Sequence, residues 1–258
     1  MTDKTNFAVE RVKQILVVFA TIVVVFVNYL AGVGYINDKT PGEISDKFPS
    51  LITPAGYAFA IWSLIYSGLI VFSVYQAFPA QASNPRFQRI RTLYLINCAA
   101  NCAWIFLWLH ERIWAALALI FVMLGTLALV NVNLKNKNDA AETWTTRVPF
   151  GLYFGWITVA TVLNFTLALL SSGVSAPDST TAVLASVLIA ATTVLGIIIR
   201  LKLSTAAYAV AIAWAFTAIA VKHGGETMLV VLTAFGVIAL LIAAIFPLAQ
   251  TEKTSERQ

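Results

Sequence analysis

The sequence predicts an all-α integral membrane protein, and its composition carries most of that prediction. Of the 258 residues, 59% are apolar and only 11% are charged, and the mean hydropathy is +0.82. Soluble domains carry roughly a quarter charged residues, so this chain falls well outside their range. The apolar residues also form continuous runs instead of the alternating pattern of a barrel strand, which indicates helical spans.

Eight of these runs are long enough to cross a bilayer, because about 20 apolar residues in a helix span about 30 Å of hydrocarbon. The runs contain no Asp, Glu, Lys, Arg or His, and the charged residues and turn formers fall between them. The predicted spans cover residues 14–35, 55–78, 92–109, 113–134, 148–171, 180–199, 204–221 and 227–248.

The basic residues predict the orientation of these spans. If the N-terminus is cytoplasmic, thirteen of the 17 Lys and Arg residues fall in inner segments, and four fall in outer ones. This asymmetry favours eight spans with both termini cytoplasmic, in a multi-pass protein of a bacterial-type cell membrane. The basic residues are spread over short loops, so we expect no nucleic-acid partner despite the net charge of +5.

The outer connection at residues 36–53 is the longest in the first half of the chain. It mixes charged residues with apolar ones such as Phe48, Leu51 and Ile52. A loop with its own apolar residues can fold back as a lid over a cavity. A solvated connector is the alternative, and the sequence does not separate the two.

The fifth predicted span has one unusual face. Tyr153, Trp156, Ala160 and Asn164 lie at steps of three, four and four, which places them on one side of a helix. This face offers a phenol, an indole, a small gap and a carboxamide, which is a set that a lipid-facing helix does not need. It predicts a surface that faces another helix or a cavity.

Two other spans carry similar faces. Phe59, Trp62 and Tyr66 follow one another at three and four in the second span, and Asn101 and Trp104 lie three apart in the third. An amide within hydrocarbon needs a hydrogen-bond partner, so Asn101 must point away from lipid. The three faces together predict a pocket with flat aromatic walls and a few orienting polar groups. Simple helix packing by the same residues is the alternative.

The motifs in this order resemble the TspO family, also called tryptophan-rich sensory proteins or translocator proteins. They are Thr53-Pro-Ala-Gly-Tyr57, then Trp62-Ser-Leu-Ile-Tyr66, then Asn101-Cys-Ala-Trp104, and then the fifth-span motif. The fifth-span match is the most specific, with Thr158 in place of the usual Ser. Its matching residues are Tyr153, Trp156, Thr158, Ala160, Thr161, Leu163 and Asn164.

The second-span motif departs from the family pattern at three points. This chain has Ala55 where the family usually has a second Pro, and Tyr57 where it usually has Trp. It also has one residue fewer between Phe59 and Trp62, which rotates these side chains relative to each other on a regular helix.

The resemblance implies a five-helix bundle with a ligand cavity that opens towards the first loop. It covers residues 14–171, so the chain looks like an extended member. Residues 1–13 and 249–258 are then cytoplasmic ends, and residues 172–248 form a three-helix addition. The implied ligands are porphyrins and other flat hydrophobic molecules, and no cofactor is required. The ligand-binding residues predicted in this way are Trp62, Tyr66, Asn101, Trp104, Tyr153, Trp156, Ala160 and Asn164.

Three function classes stay open at this stage. They are a membrane-embedded sensor that binds tetrapyrroles, a transporter of such ligands, and an enzyme that degrades them with light. The spans hold no ionisable residue, which argues against ion-coupled transport. They hold no metal cluster or nucleophile–base pair, which argues against conventional catalysis. The expected partners are a hydrophobic small molecule and the bilayer. Gly68 and Gly125 could also serve a homodimer face or packing within the bundle.

Overall fold

The computed structural model is all helical over the residues it describes, which are 2–48, 50–135, 139–175 and 177–246. The tail expected at residues 249–258 lies outside these ranges. A 3-10 turn at Gly56–Ala60 leads into the third helix, and a π-turn at Thr143–Arg147 joins the sixth helix to the seventh. The helices are α1 (Thr2–Gly32), α2 (Pro41–Asp46), α3 (Ile61–Ala77), α4 (Pro85–Leu109), α5 (Ile113–Asn133), α6 (Ala140–Glu142), α7 (Val148–Ser171), α8 (Asp178–Leu203), α9 (Ala206–Lys222) and α10 (Thr227–Ile245).

The predicted all-α membrane architecture is confirmed. Seven helical stretches of the described chain have the length and composition of a membrane span. The remaining predicted span corresponds to α9, which is apolar but has only 17 residues. A helix of that length rises about 25 Å, at the lower limit for crossing the hydrocarbon.

Two helices begin well before their predicted spans. We expected α1 from residue 14 and α4 from residue 92, whereas they begin at Thr2 and Pro85. Charged residues extend both helices, because Glu10 and Arg91 form a buried ion pair with Nη1 and Oε2 2.9 Å apart. Hydropathy alone assigned Arg91 to a loop, since it cannot show that a charge is paired.

The first five spans form a closed ring. Going around it, α1 contacts α3, α3 contacts α7, α7 contacts α5, α5 contacts α4, and α4 returns to α1. Gly68 on α3 belongs to this packing, because a Cβ there would lie 2.8 Å from Cβ of Pro149 on α7. Gly125 on α5 is exposed and open.

The last three spans pack outside this ring. Helix α9 lies against α7, and α10 and α8 lie against α9. The contact between α7 and α9 is close, because a Cβ on Gly155 would lie 2.3 Å from the carbonyl oxygen of Tyr208. The hydroxyl groups of Thr158 and Tyr208 are 2.9 Å apart across the same interface. One face of α7 therefore serves the ring interior and the other face serves α9.

The first long loop folds back over one end of the bundle. Its helix α2 begins with a capping box between Thr40 and Glu43. Nε1 of Trp108 donates to the carbonyl oxygen of Pro41 at 3.2 Å, and Ile44 is buried. We call residues 36–53 the lid and this end of the bundle the lid end, and we call the opposite end, which holds Glu10 and Arg91, the basic end.

Candidate functional site

An aromatic cluster centred on Trp62 fills the lid half of the ring. The ring of Trp62 stacks on Tyr66, with centroids 5.2 Å apart and planes 13° apart. It meets Tyr153 at 5.6 Å, and it meets Trp104 and Trp156 at 6.2 Å each. The predicted faces of α3, α4 and α7 therefore do converge, and Trp62 is where they meet.

Amide side chains hold this cluster together. Nδ2 of Asn101 donates to Oη of Tyr153 at 2.7 Å, which links α4 to α7. Nε1 of Trp104 donates to Oδ1 of Asn164 at 3.2 Å, which makes a second link between the same helices. Nδ2 of Asn164 donates in turn to the carbonyl oxygen of Ala160 at 2.8 Å. These bonds satisfy amides that would be costly to bury alone.

A cleft of about 740 Å³ lies beside the cluster, between α1 and α3, and the lid covers it at one end. Of the eight predicted ligand-binding residues, only Trp62 and Tyr66 line it. Exposed residues of both helices, including Tyr29 and Ile70, line its open side. The full lining is Val25, Asn28, Tyr29, Gly32, Val33, Thr40, Pro41, Gly42, Glu43, Asp46, Gly56, Phe59, Trp62, Ser63, Tyr66, Ser67, Ile70 and Ile105.

A second, much smaller space lies on the other side of Trp62. This gap has a volume of about 20 Å³, which is room for about one water molecule. Trp62, Trp104, Trp156, Ala160 and Asn164 all line it. Asn101 and Tyr153 line neither space and instead brace the cluster. The predicted ligand-binding residues thus fall into three groups. Some line the cleft, some line the small gap, and Asn101 and Tyr153 support the cluster by their hydrogen bond.

Two buried polar atoms in the cluster have no hydrogen-bond partner within the described residues. They are Oη of Tyr66 and Nε1 of Trp156. An unsatisfied buried donor costs about 1–3 kcal/mol. A polar group of a ligand, or a water molecule, that reached either atom after a small side-chain movement would recover part of that cost.

Two residues of the site are absent from the predicted ligand-binding set, although the sequence places Phe59 on the aromatic face of the second span. Asn28 on α1 lines the cleft, and its Nδ2 donates to Oδ1 of Asn101 at 2.7 Å. The available signal was a lone amide inside the apolar run of the first span. Phe59 lines both spaces and meets Trp156 edge-on at 5.9 Å.

The position of Phe59 follows from the 3-10 turn that precedes α3. Residues three apart in a 3-10 helix lie on the same side, because the turn has three residues instead of 3.6. The 3-10 turn covers Gly56–Ala60 and so carries Phe59, whereas Trp62 lies in the first turn of α3. Both side chains contact Trp156, as their spacing of three residues predicts, in spite of the shift from the family motif.

The lid places acidic groups at the mouth of the cleft. Glu43 and Asp46 both line it. The backbone N–H of Thr40 donates to Oε2 of Glu43 at 2.7 Å, and the Thr40 hydroxyl group donates to the same oxygen. These two bonds hold the pKa of Glu43 below its usual value, so this carboxylate is ionised at neutral pH. Asp46 forms an ion pair with Lys222.

We find no cluster of metal-binding side chains among the described residues. The cysteines Cys98 and Cys102 are both free thiols. The chemistry that the site offers is therefore stacking on Trp62 and Tyr66, hydrogen bonding from amides and hydroxyl groups, and a negative mouth. This set suits the recognition of an apolar molecule with a planar part.

The chain matches the family of TSPO-like proteins over residues 14–247. The match extends past residue 171, where the motif resemblance ended, and includes the three C-terminal spans. No curated protein and no solved structure matches the chain. Because the family match covers most of the sequence, the chain belongs to the TSPO-like family.

Proposed function

We propose that this member of the TSPO-like family binds a flat hydrophobic ligand in the cleft between α1 and α3, and that a tetrapyrrole is the first ligand to test. Membership of the family indicates a membrane-embedded binding or sensing function. The observation that supports the ligand class is the stacked pair of Trp62 and Tyr66 on the wall of a 740 Å³ cleft. That volume lies within the range of small-molecule sites, about 300–1,000 Å³.

The wall suits a planar ligand because its aromatic rings already share one orientation. Trp62 and Tyr66 are nearly parallel, at 13°, so a flat ring system can continue the stack. Asn28 on α1 and Ser63 and Ser67 on α3 line the cleft and supply amide and hydroxyl groups for polar substituents. Trp62 also separates the cleft from the gap beside Trp156, so rotation of its ring would enlarge the site for a bulkier ligand.

We also propose that the basic end lies in the cytoplasm and the lid end outside. The asymmetry of Lys and Arg between the loops supports this orientation. The cleft would then open on the outer half of the bilayer. This arrangement can be tested by introducing a cysteine at Lys39 or at Lys135 and adding a membrane-impermeant thiol reagent to intact cells. Only the cysteine at position 39 should be labelled.

The test of ligand binding is a titration of the purified protein with protoporphyrin IX, followed by tryptophan fluorescence and by porphyrin absorbance. We expect saturable binding that Trp62→Ala weakens about tenfold or more, because the substitution removes the stacking wall. Tyr66→Phe keeps the ring and removes the unpartnered hydroxyl group, so it should change affinity less.

The matched control is Trp144→Phe, because Trp144 is 71% exposed and lies outside the cleft. Equal affinity in wild type and Trp62→Ala would contradict the assigned site, and absence of saturation in wild type would contradict the tetrapyrrole. Illumination of the bound complex distinguishes binding alone from light-driven degradation, since only degradation changes the porphyrin spectrum with time.

A second candidate function is exchange of the ligand between the site and the bilayer. The observation that favours it is the open side of the cleft, where Tyr29 is 63% exposed and Ile70 is 46% exposed. A hydrophobic ligand could leave by this side without crossing water. Transfer of porphyrin between vesicles tests this function. Vesicles that contain the wild-type protein should exchange porphyrin faster than vesicles that contain the Trp62→Ala variant.

A further inference from the structure

Helix α9 contacts the chain around the lid through side chains and backbone. Nε1 of Trp214 donates to the carbonyl oxygen of Ala58 at 3.0 Å. The backbone N–H of Ala55 donates to the carbonyl oxygen of Ala218, also at 3.0 Å. Lys222 forms an ion pair with Asp46.

These contacts come from one face of α9. Trp214, Ala218 and Lys222 are spaced four residues apart, so they follow one stripe along the helix. The next residue, His223, adds a contact between its Nε2 and the carbonyl oxygen of Thr53 at 3.1 Å. A single helix edge therefore holds residues 53–58, which we call the anchored segment, and also holds the end of α2.

Two residues of the anchored segment, Ala55 and Tyr57, make contacts with α9 that depend on their identity. A proline at position 55 could not donate a hydrogen bond, because proline has no backbone N–H. Ala55 supplies that N–H to Ala218. Tyr57, which stands where the family usually has Trp, meets Trp214 edge-on at a centroid distance of 5.5 Å. Both contacts therefore depend on the residue types at positions 55 and 57.

The anchored segment is continuous with the wall of the cleft. Gly56 lines the cleft itself, and the 3-10 turn that begins there carries Phe59 and leads directly to Trp62. Asp46, at the end of α2, lines the mouth. The anchored segment thus joins the aromatic wall to the lid along the chain.

We propose that Trp214 and Lys222 are positioning residues for the ligand site, and that α9 fixes the lid and the cleft wall in place. This assigns a role to α9, which gives the lid and the cleft wall a fixed support. The consequence for the ligand rests on the function proposed above, whereas the consequence for the lid does not. A helix that only filled lipid-facing surface would leave the lid unaffected when these contacts are removed.

Hydrogen exchange of the full chain in lipid nanodiscs, without ligand, tests the anchor. Trp214→Phe keeps a ring and removes the donor, and Ala55→Pro removes the backbone donor. We expect either variant to speed exchange in peptides that cover residues 41–59 by roughly three- to tenfold, which corresponds to loss of one ordinary hydrogen bond. Exchange in peptides from α4 should not change.

The matched control is Trp114→Phe. Nε1 of Trp114 also donates one hydrogen bond at the lid end, to Oγ of Ser172 at 2.9 Å, but it does not involve the anchored segment. Exchange of residues 41–59 that stays at the wild-type rate in both Trp214→Phe and Ala55→Pro would overturn the proposal. So would an increase spread evenly over all helices, because that indicates general destabilisation.

A charge exchange supplies a second test that misfolding cannot imitate. Lys222→Asp places two carboxylates together and should release the lid, whereas Lys222→Asp combined with Asp46→Lys restores an ion pair and should restore slow exchange. A double variant that exchanges as fast as Lys222→Asp alone would contradict the assigned pair.

A third experiment tests the effect on the ligand by measuring the dissociation rate of protoporphyrin IX. We expect Trp214→Phe to release it roughly three- to tenfold faster, in step with the exchange of the lid. If wild type binds no porphyrin, the proposed ligand fails and the exchange result still decides the anchor. If binding is normal and the release rate is unchanged in Trp214→Phe, the positioning role is wrong.

Discussion

The side-chain amide of Asn28 donates a 2.7 Å hydrogen bond to Oδ1 of Asn101, while Nδ2 of Asn101 donates to Tyr153 at the same distance. One carboxamide thus joins α1, α4 and α7 across the ring. It is the polar centre of an otherwise aromatic interior. Its removal takes one partner from Asn28, which keeps its bond to the carbonyl oxygen of Val24, and takes the partner of the buried Tyr153 hydroxyl group.

We therefore expect Asn101→Leu to lower the free energy of unfolding by about 2–3 kcal/mol, because Asn28 and Tyr153 both lose a partner. Asn28→Leu should cost less, since Asn101 keeps its bond to Tyr153. The control is Asn133→Leu on α5, where Nδ2 bonds only to the carbonyl oxygen of Leu129 on the same helix. Thermal unfolding in detergent measures all three, and an equal loss in Asn133→Leu would refute the assigned role.

Two glycine substitutions should have opposite effects on the free energy of unfolding. Gly155 lies at the α7–α9 interface, whereas Gly125 lies on α5 in open space. Gly155→Ala forces a methyl group to within 2.3 Å of the Tyr208 carbonyl oxygen, so the helices must separate, at a cost of about 1–3 kcal/mol. Gly125→Ala meets nothing within 4 Å and should stabilise α5 by about 0.5–1 kcal/mol. Thermal unfolding distinguishes these directions, and a stabilised Gly155→Ala would show that α7 and α9 pack less closely.

Glu111 predicts a pH dependence at the lid end. Its hydrogen bonds with Lys39 and Lys47 hold the pKa of this carboxyl group below its usual value of 4.5. A lowered pKa in the folded state means that the stabilisation is complete above about pH 4.5 and is lost as the pH falls through the lowered pKa. The thermal midpoints of wild type and Glu111→Gln should therefore differ most at pH 7 and converge towards pH 3. A constant difference would contradict the ion pairs.

The acidic mouth of the cleft predicts a preference for ligand charge. Glu43 is ionised and lines the mouth, so the two carboxylates of protoporphyrin IX should be weakly disfavoured there. We expect its dimethyl ester to bind roughly two- to fivefold more tightly, and Glu43→Gln to remove most of that difference, because exposed charges interact weakly. Affinities measured at low and high salt check this result, since high salt should also reduce the preference. Tighter binding of the diacid would show that its carboxylates lie elsewhere.

The sequence was sufficient for the helices and for the faces that meet. Continuous apolar runs define spans whatever their packing, and helical spacing was enough to place Tyr153 and Trp156 towards α3 and α4. Helical spacing could not predict where the cavity lies. Whether Trp62 closes a cavity or opens one depends on the orientation of a single ring among four neighbours, and spacing along a helix does not encode that.

The remaining differences have similarly local causes. Phe59 lies in a 3-10 turn, which the helical spacing of the second span did not predict. Arg91 extends α4 because Glu10, 81 residues earlier in the chain, neutralises it. Ala55 and Tyr57 match the family motif imperfectly, and in the structure both contact α9. For Arg91, Ala55 and Tyr57 the deciding partner is distant in sequence.

The open side of the cleft changes what an affinity measurement means. Tyr29 and Ile70 line the cleft and face outward, so in a membrane the site borders acyl chains, and a ligand there replaces one apolar occupant with another. Binding is then an exchange within the membrane phase, and its natural concentration unit is the mole fraction of ligand in lipid. Detergent molecules become competitors, and titrations in micelles and in nanodiscs should give different apparent constants for the same site.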